Sequence, residues 1–490
     1  MEQALLQTGK EVSLEATEVQ SDPILLWNEV ALEANRVSHT IEPQEQTGPT
    51  LSSRALAMVH LAMYDAYAGV INDVTNLPPY IGGIPAPSNA SPNAAVAAAA
   101  YETLSTLFTS QKPFLDLVFA GAGDKSNPGH AFGVAVAQKI LADRAGDPDA
   151  GAGGYVPSQQ RGKHRPDPDN PGQGFHAPFY GAKSKGFAIK KRHTLDAPPF
   201  DNNEYREALR EVRGKGIAPE LMGTLPKNID PRTTDETLIG IFWGYDGAAR
   251  IGTPPRLYNQ IIRRVAIAKG NSVAENARLF AFVNVAMADA GILAWDEKYK
   301  HELWRPVVGI REHDRSAGPA ATQANNNISD DCDSSWLPLG APNTNRVGKN
   351  QTPAFPAYPS GHATFGAAAL HITRLFYNDV SKKRRDDLLD GLDFVSDEFN
   401  GVNADNRGSV RPRHLRNFPR GLWQMIEENG RSRVFLGVHW IFDAFTVKNN
   451  DEPDLDRNIG GVPLGLKIAE DIFQAGGGRA PKKSPVGPRI

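Results

Sequence analysis

The sequence predicts an all-α protein made of stacked helix bundles. Apolar residues recur at helical spacing along most of the chain, strand-like alternation is scarce, and proline and glycine gather in a few long stretches between helical segments.

In chain order, residues 50–72 are apolar almost all round, with Ser52 or Ser53 as the expected cap, which suits a helix buried on most sides. Residues 92–109 begin with proline and are rich in alanine, again a helix signal. Further helices are expected near 130–145, 203–213, 255–268, 272–304, 361–378, 381–400 and 420–446. Three stretches break the pattern: residues 146–200 (Pro, Gly, Asp), residues 314–358 (Asn, Pro, Ser) and the tail from 448, which ends GGGRAPKKSPVGPRI. All three read as long loops or poorly ordered surface. The first divides the chain into an N-terminal helical half, residues 1–200, and a C-terminal half, residues 201–490. No internal repeat is visible.

Composition narrows the class. The 490 residues are enough for one large domain or two packed ones. A formal net charge of −3 gives no basic field for nucleic acid. No apolar run approaches the length of a membrane span, because the most apolar stretches are interrupted by polar groups. Cys332 is the only cysteine and sits in a polar segment, so intrachain disulfides and cysteine-based metal sites are excluded. The acidic N-terminus lacks a signal-peptide core, so the chain reads as cytoplasmic, or as exported without a recognisable signal peptide. There is no P-loop and no His-Glu-x-x-His zinc motif. No surface stripe distinguishes a monomer from a homodimer.

Three segments carry chemistry. Lys298 and Arg305 are seven positions apart, close to two helical turns, and so share a face if one helix holds both. Pro306 is expected to end that element. Alone, such a pair more often marks a solvated basic face. Pro359-Ser360-Gly361-His362 precedes an amphipathic helix, whose first N–H groups lack partners and favour an anion. Ser360 adds a hydroxyl, Gly361 allows close backbone approach, and His362 stands beside the anion as an acid/base. A plain serine cap with a surface histidine is an equal reading of this segment by itself. Third, His439 and Asp443 are four apart, so the carboxylate can fix the imidazole tautomer. Arg433, six residues earlier, lies about 120° round the same helix and reaches the anion through its length. The bland reading here is a core histidine. Together the three segments describe a cage for a tetrahedral oxyanion with two histidines.

In this order the segments resemble the signature of vanadium-dependent haloperoxidases, shared with type 2 phosphatidic acid phosphatases and related acid phosphatases. The signature alone does not separate the two activities, because vanadate and phosphate are near isosteres. The length of the chain favours the peroxidase. So do residues 242–261, 283–307 and 355–366, which are similar to fungal vanadium chloroperoxidases, and more loosely the N-terminal segments ILLWNEV and LAMVHLAMYDAYAGV.

The resemblance implies two four-helix bundles packed together, with the cofactor, vanadate, in the second. His439 is then the vanadium ligand. Lys298, Arg305, Ser360, Gly361 and Arg433 bind vanadate oxygens, His362 is the acid/base, and Asp246 pairs with Arg433. Phe355 and Trp295 match aromatics near the halide site. Algal bromoperoxidases typically have histidine at the position of Phe355, so the pattern leans toward chloride as well as bromide. The implied partners are hydrogen peroxide, a halide and an organic acceptor, and the product is hypohalous acid. An acid phosphatase, with His439 attacking phosphorus, is the alternative enzyme. A non-catalytic phosphate-binding helical protein is the third class.

Overall fold

The computed structural model describes residues 22–378, 388 and 393–490. It is all-α. Among the described residues the only strands are two antiparallel pairs of two residues each, β1 (Asp393–Phe394) with β2 (Arg416–Asn417) and β3 (Thr446–Val447) with β4 (Pro453–Asp454).

Among the described residues five α-helices form before residue 150. α1 (Pro23–Ser38) starts on Asp22, whose carboxylate accepts the N–H of Ile24 and Leu25. α2 (Gly48–Ile71) is the buried helix that its composition announces, but Thr47 precedes it and Pro49 sits in its first turn. Ser52 and Ser53 do not cap it. They lie inside the helix and donate to the carbonyls of Gln46 and Thr50. α3 (Pro92–Leu107) and α5 (Pro128–Asp143) are capped by Ser91 and Asn127, and both pack on α2. The short α4 (Lys112–Ala122), which the periodicity did not announce, follows α3.

The connecting stretch to residue 200 holds only α6 (Tyr180–Lys183). It is pinned rather than loose: the buried carboxylate of Asp289 accepts the N–H groups of Phe187, Ala188 and Ile189. Then come α7 (Asn203–Lys215), α8 (Thr234–Phe242), α9 (Pro254–Ala268), α10 (Val273–His301), α11 (Pro306–Arg311), α12 (Gly361–Phe376), α13 (Gly421–Phe435), α14 (Ile441–Ala444) and α15 (Gly461–Ala475).

α10 is the spine. A capping box between Ser272 and Glu275 starts it, and it packs on α2 on one side and on α12 and α15 on the other. The expectation that no apolar run matches a membrane span fails here: α10 is long and apolar enough by length and composition. Yet 94% of its most apolar window is buried inside the protein, and a helix shared by two packed layers is apolar all round for that reason.

Other expectations are also corrected. Of the helix expected at 381–400, residues 381–387 and 389–392 lie outside the described residues, and the described part holds no α-helix, only β1 and a 3-10 turn at Asp397–Phe399. The helix expected at 420–446 is two helices. Gly437, at φ +73°, stops α13 in a left-handed turn that its Cβ-free backbone allows, and α14 restarts at Ile441. The tail from 448 is not surface loop: α15 lies against α12, and Arg489 reaches back to pair with Asp296.

α15 and α12 meet backbone to backbone. A Cβ added to Gly465 falls 2.5 Å from the Thr364 carbonyl oxygen and 2.9 Å from the Ala368 nitrogen. Gly465→Val is therefore expected to destabilise the protein by about 1–3 kcal/mol through overpacking. A lower thermal midpoint checks this, and an unchanged midpoint contradicts the close approach.

Candidate active site

The cage is assembled at chain breaks. α10 ends after His301 because Glu302 turns into the left-handed region, φ +54°, and returns its N–H to the Lys298 carbonyl. Residues 302–304 then run beside residues 162–164: the Glu302 carbonyl accepts the His164 N–H at 2.7 Å, and the Trp304 N–H reaches Gly162 at 2.9 Å. Arg305 follows as the residue before α11. Lys298 and Arg305 thus do not share a helix face. A pinned loop brings the second cation round to the first.

Each cation has its own partial answer to burial. Lys298 is fully buried, and its ammonium donates to the carbonyls of Pro356, Ala357 and Pro359 at 2.8, 3.1 and 2.5 Å. Arg305 gives Nε to the Phe355 carbonyl at 2.8 Å and Nη1 to the Val438 carbonyl at 2.7 Å. Arg433, in the last turn of α13, forks onto Asp246 at 2.7 and 3.1 Å. Asp246 is set by a tight loop: Tyr245 and Gly247 have φ of +52° and +78°, and buried Glu398 accepts the Tyr245 N–H. Two guanidinium nitrogens of this cluster, Arg305 Nη2 and Arg433 Nε, are buried with no partner among the described residues.

Ser360 caps α12, its hydroxyl accepting the Ala363 N–H, and its own N–H donates to the Asp443 carbonyl at 2.8 Å. Gly361 opens the helix against Trp295, where an added Cβ would lie 3.2 Å from the indole. His362 is the next residue. Its Nε2–H donates to the Gly244 carbonyl at 2.6 Å, 3.9 Å from Asp246 Oδ1, which leaves Nδ1 as the basic nitrogen.

His439 does not sit on a helix with Arg433, as the spacing suggested. It lies in the turn after Gly437, just ahead of α14. Asp443 accepts both the His439 Nδ1–H at 2.7 Å and the Trp440 N–H at 3.0 Å. That fixes the tautomer, so Nε2 carries the lone pair, which meets Arg305 Nη1 at 2.9 Å.

A cavity of about 290 Å³ opens onto this cluster. Of the residues expected at the site, Asp246, Trp295, Phe355, Gly361, His362, Arg433 and His439 line it, while Lys298, Arg305, Ser360 and Asp443 stand behind its wall. Trp295 and Phe355 are in contact, 4.8 Å between ring centroids, with Lys298 5.0 Å from the Phe355 centroid. The sequence reading missed His176, which lines the cavity from within the Pro/Gly-rich stretch, and Glu398, which holds the Asp246 loop. Only the aromatic flank of His176, GFHAPFYG, distinguished it from surface loop.

The electrostatics are those of a site lacking negative charge. Burial and the neighbouring guanidinium of Arg305 push the Lys298 ammonium well below its ordinary range. Burial lowers Arg305 to about 9, and the same cause lifts Asp443 to about 7. Burial, then Arg433, hold His362 at about 3, and His439 is also held well below its usual value.

The family model for the vanadium chloroperoxidase N-terminal domain matches residues 12–186, and that for the VCPO second helical-bundle domain matches residues 278–449. The chain is 35% identical to the vanadium chloroperoxidase of Curvularia inaequalis, an alignment covering 94% of this chain and 91% of that one. The fold is similar to that of a bacterial vanadium-dependent iodoperoxidase (TM-score 0.63, 19% identity, 93% of this chain and 96% of that chain). It is also similar to that of a bacterial vanadium-dependent chloroperoxidase in its holo form (TM-score 0.61, 17% identity, 90% and 95%).

Two predictions follow from the charges. Asp246→Ala leaves Arg433 buried and uncompensated, and should destabilise the protein by about 3–5 kcal/mol, with added phosphate or vanadate restoring part of the loss in a thermal-shift measurement. An unaffected midpoint would mean that Arg433 is not desolvated. The second concerns pH. His362 is held at about 3, and buried His39 and His60 and half-buried His176 at about 4, against about 6.5 in an unfolded chain. At these positions the unfolded chain binds more protons below about pH 6.5, which removes stability as pH falls, while Asp443 and Glu398, lifted to about 7 by burial, bind protons in the folded chain over the same range and act in the opposite sense. The imidazoles are therefore best read directly: the ring NMR signals of His39 and His60 should not titrate between pH 7 and 5, and a titration near pH 6.5 contradicts the neutral, buried rings.

Proposed function

The chain belongs to the vanadium chloroperoxidase family of vanadium haloperoxidases, and from that premise we propose that it uses vanadate and hydrogen peroxide to oxidise bromide, and chloride, to hypohalous acid. One observation carries the reading: the two buried guanidinium nitrogens without partners, Arg305 Nη2 and Arg433 Nε, flank a histidine whose Nε2 lone pair is fixed by Asp443. Buried donors of this kind call for a tetrahedral oxyanion, and the histidine offers it a ligand. The residues therefore fit vanadate.

In this reading His439 Nε2 ligates vanadium. Arg305, Arg433, the Ser360 hydroxyl and the N–H of Gly361 at the start of α12 hold the oxygens, each charge-assisted bond contributing roughly 1.5–3 kcal/mol. Arg305 already touches His439 and needs only to turn its donor from the lone pair to an oxygen. Bound vanadate supplies a Lewis-acidic centre that activates peroxide with no change in its own oxidation state.

The chain's own groups manage protons and charge. His362 Nδ1, unprotonated near neutral pH, takes a proton from peroxide as it binds. Asp246 keeps Arg433 in place and stands near His362 as it charges. Lys298 holds positive charge where electrons leave the halide, backed by three carbonyls. Halide, peroxide and one proton give hypohalous acid and water, so the net proton consumed matches a site that rebuilds its basic histidine each turn. Trp295 and Phe355 form the wall on which the halide approaches.

The test pairs two assays on vanadate-loaded protein: halogenation of a dione with peroxide and bromide, and hydrolysis of nitrophenyl phosphate. Halogenation is expected. Phosphate-ester turnover with no halogenation would sink the peroxidase reading. His439→Ala should lower both bound vanadate, by elemental analysis, and halogenation at least ~100-fold. Activity surviving that change means that another residue is the ligand.

A further inference from the structure

His176 lines the cavity beside Trp295 and Phe355. Its backbone is fixed at both ends: the N–H donates to the Ala354 carbonyl at 2.8 Å, and its carbonyl accepts the Tyr299 hydroxyl at 2.7 Å and the Trp295 indole N–H at 3.3 Å. That last bond matters for the wall. The only polar group of Trp295 is turned away onto backbone, so Trp295 and Phe355 offer the cavity hydrocarbon alone.

The His176 ring completes the wall. It lies edge-on to Trp295, 6.0 Å between centroids at 83°, and tilted against Phe355 at 6.1 Å. Its back is set by Gly48, where an added Cβ would come within 2.5 Å of the ring. Nε2 lies 3.1 Å from the Thr50 hydroxyl. Nδ1 has no hydrogen-bond partner among the described residues, on a ring that lines the cavity together with His362, Arg433 and His439.

We propose that His176 is a halide-selecting residue: with the Thr50 hydroxyl donating to Nε2, the Nδ1–H donates to a halide held against Trp295 and Phe355. The inference rests on the haloperoxidase reading for the oxidation that follows, but the binding step stands on its own. Burial keeps the imidazole uncharged, so it offers one directed donor and no mobile cation. Lys298 and Arg305, lying 5.0 and 4.9 Å from the Phe355 centroid, supply the positive field behind the wall. A single N–H matters most to the smallest halide, because chloride gives up the most hydration on reaching a hydrocarbon wall and iodide the least. His176 thus favours chloride and bromide over iodide.

Crystals of the vanadate-loaded protein soaked in bromide give a readout that does not depend on turnover. Anomalous density is expected within hydrogen-bond distance of His176 Nδ1, and should be lost in His176→Phe, which keeps the ring and removes the donor. Kinetics supply the second measurement. His176→Phe should raise the KM for chloride about tenfold, equivalent to about 1.4 kcal/mol, and that for iodide under about threefold. The KM for peroxide and the vanadate content should not change. His176→Asn, with an amide N–H near the place of Nδ1, should stay near the parent, and Thr50→Val should weaken chloride as His176→Phe does. Bromide lying elsewhere in the cavity, or an equal effect of His176→Phe on all three halides, overturns the assignment. Bromide seated at His176 in a protein that makes no hypohalous acid upholds the site and removes the peroxidase reading instead.

Discussion

Lys298, Arg305 and Arg433 are each at most 1% exposed, and they surround one point. An interior cannot hold three such charges without partners, since each uncompensated ion costs several kcal/mol. The surrounding structure divides that cost. Carbonyls of the segment before α12 take the ammonium, Asp246 takes one guanidinium, and Asp443 acts through His439. What remains unpaired is the part assigned to the anion. The elements around the cage can be read as devices for delivering these groups to one place: α10 for Lys298, the 162–164 pairing for Arg305, the left-handed turn at Gly437 for His439. A site of this kind is built before its cofactor binds, which limits reorganisation during reaction.

Much of this was legible in the chain, and the division between legible and hidden is physical. Ser360-Gly361-His362 reads correctly because the amphipathic run that follows forces a helix start at that point. His439 and Asp443 meet as their spacing suggests, although the geometry that joins them is a turn and a cap, not a helix face. The two helices drawn too long share one cause. Apolar periodicity continues through Glu302 and Gly437, so pattern alone runs one helix across each break. A left-handed glutamate carries no side-chain signal. The tail was misread for the converse reason: Gly461 and Gly465 lower helix propensity, yet they are what let α15 touch the backbone of α12. His176 and the 162–164 pairing were hidden because they lie in a stretch whose proline and glycine content describes loop, and backbone pairing has no residue signature.

The proposed halide wall consists of only a few side chains. Backbones similar to this one at 17–19% identity belong to an iodoperoxidase and to a chloroperoxidase, so the bundle itself leaves the halide open. Under the proposed function, selection falls to the few groups between cavity and cage, where Trp295 and Phe355 supply an aromatic wall. The indole N–H of Trp295 is spent on the His176 carbonyl and Phe355 has no polar group, so under the proposed reading the directional choice falls to a residue from the connecting stretch, not from the helices.

Arg489 contacts Asp296 from 193 residues downstream, and Asp296 lies two positions before Lys298 on α10. During synthesis at roughly 5–20 residues per second, that brace reaches the helix only about 10–40 s after the helix has been made. The cage-bearing helix therefore leaves the ribosome with Lys298 in place but with Arg433, His439 and the Arg489 contact still to be made. The three cations can meet only once the segments carrying Arg305 and Arg433 have followed, and the contact from Arg489 to Asp296 becomes available later than either.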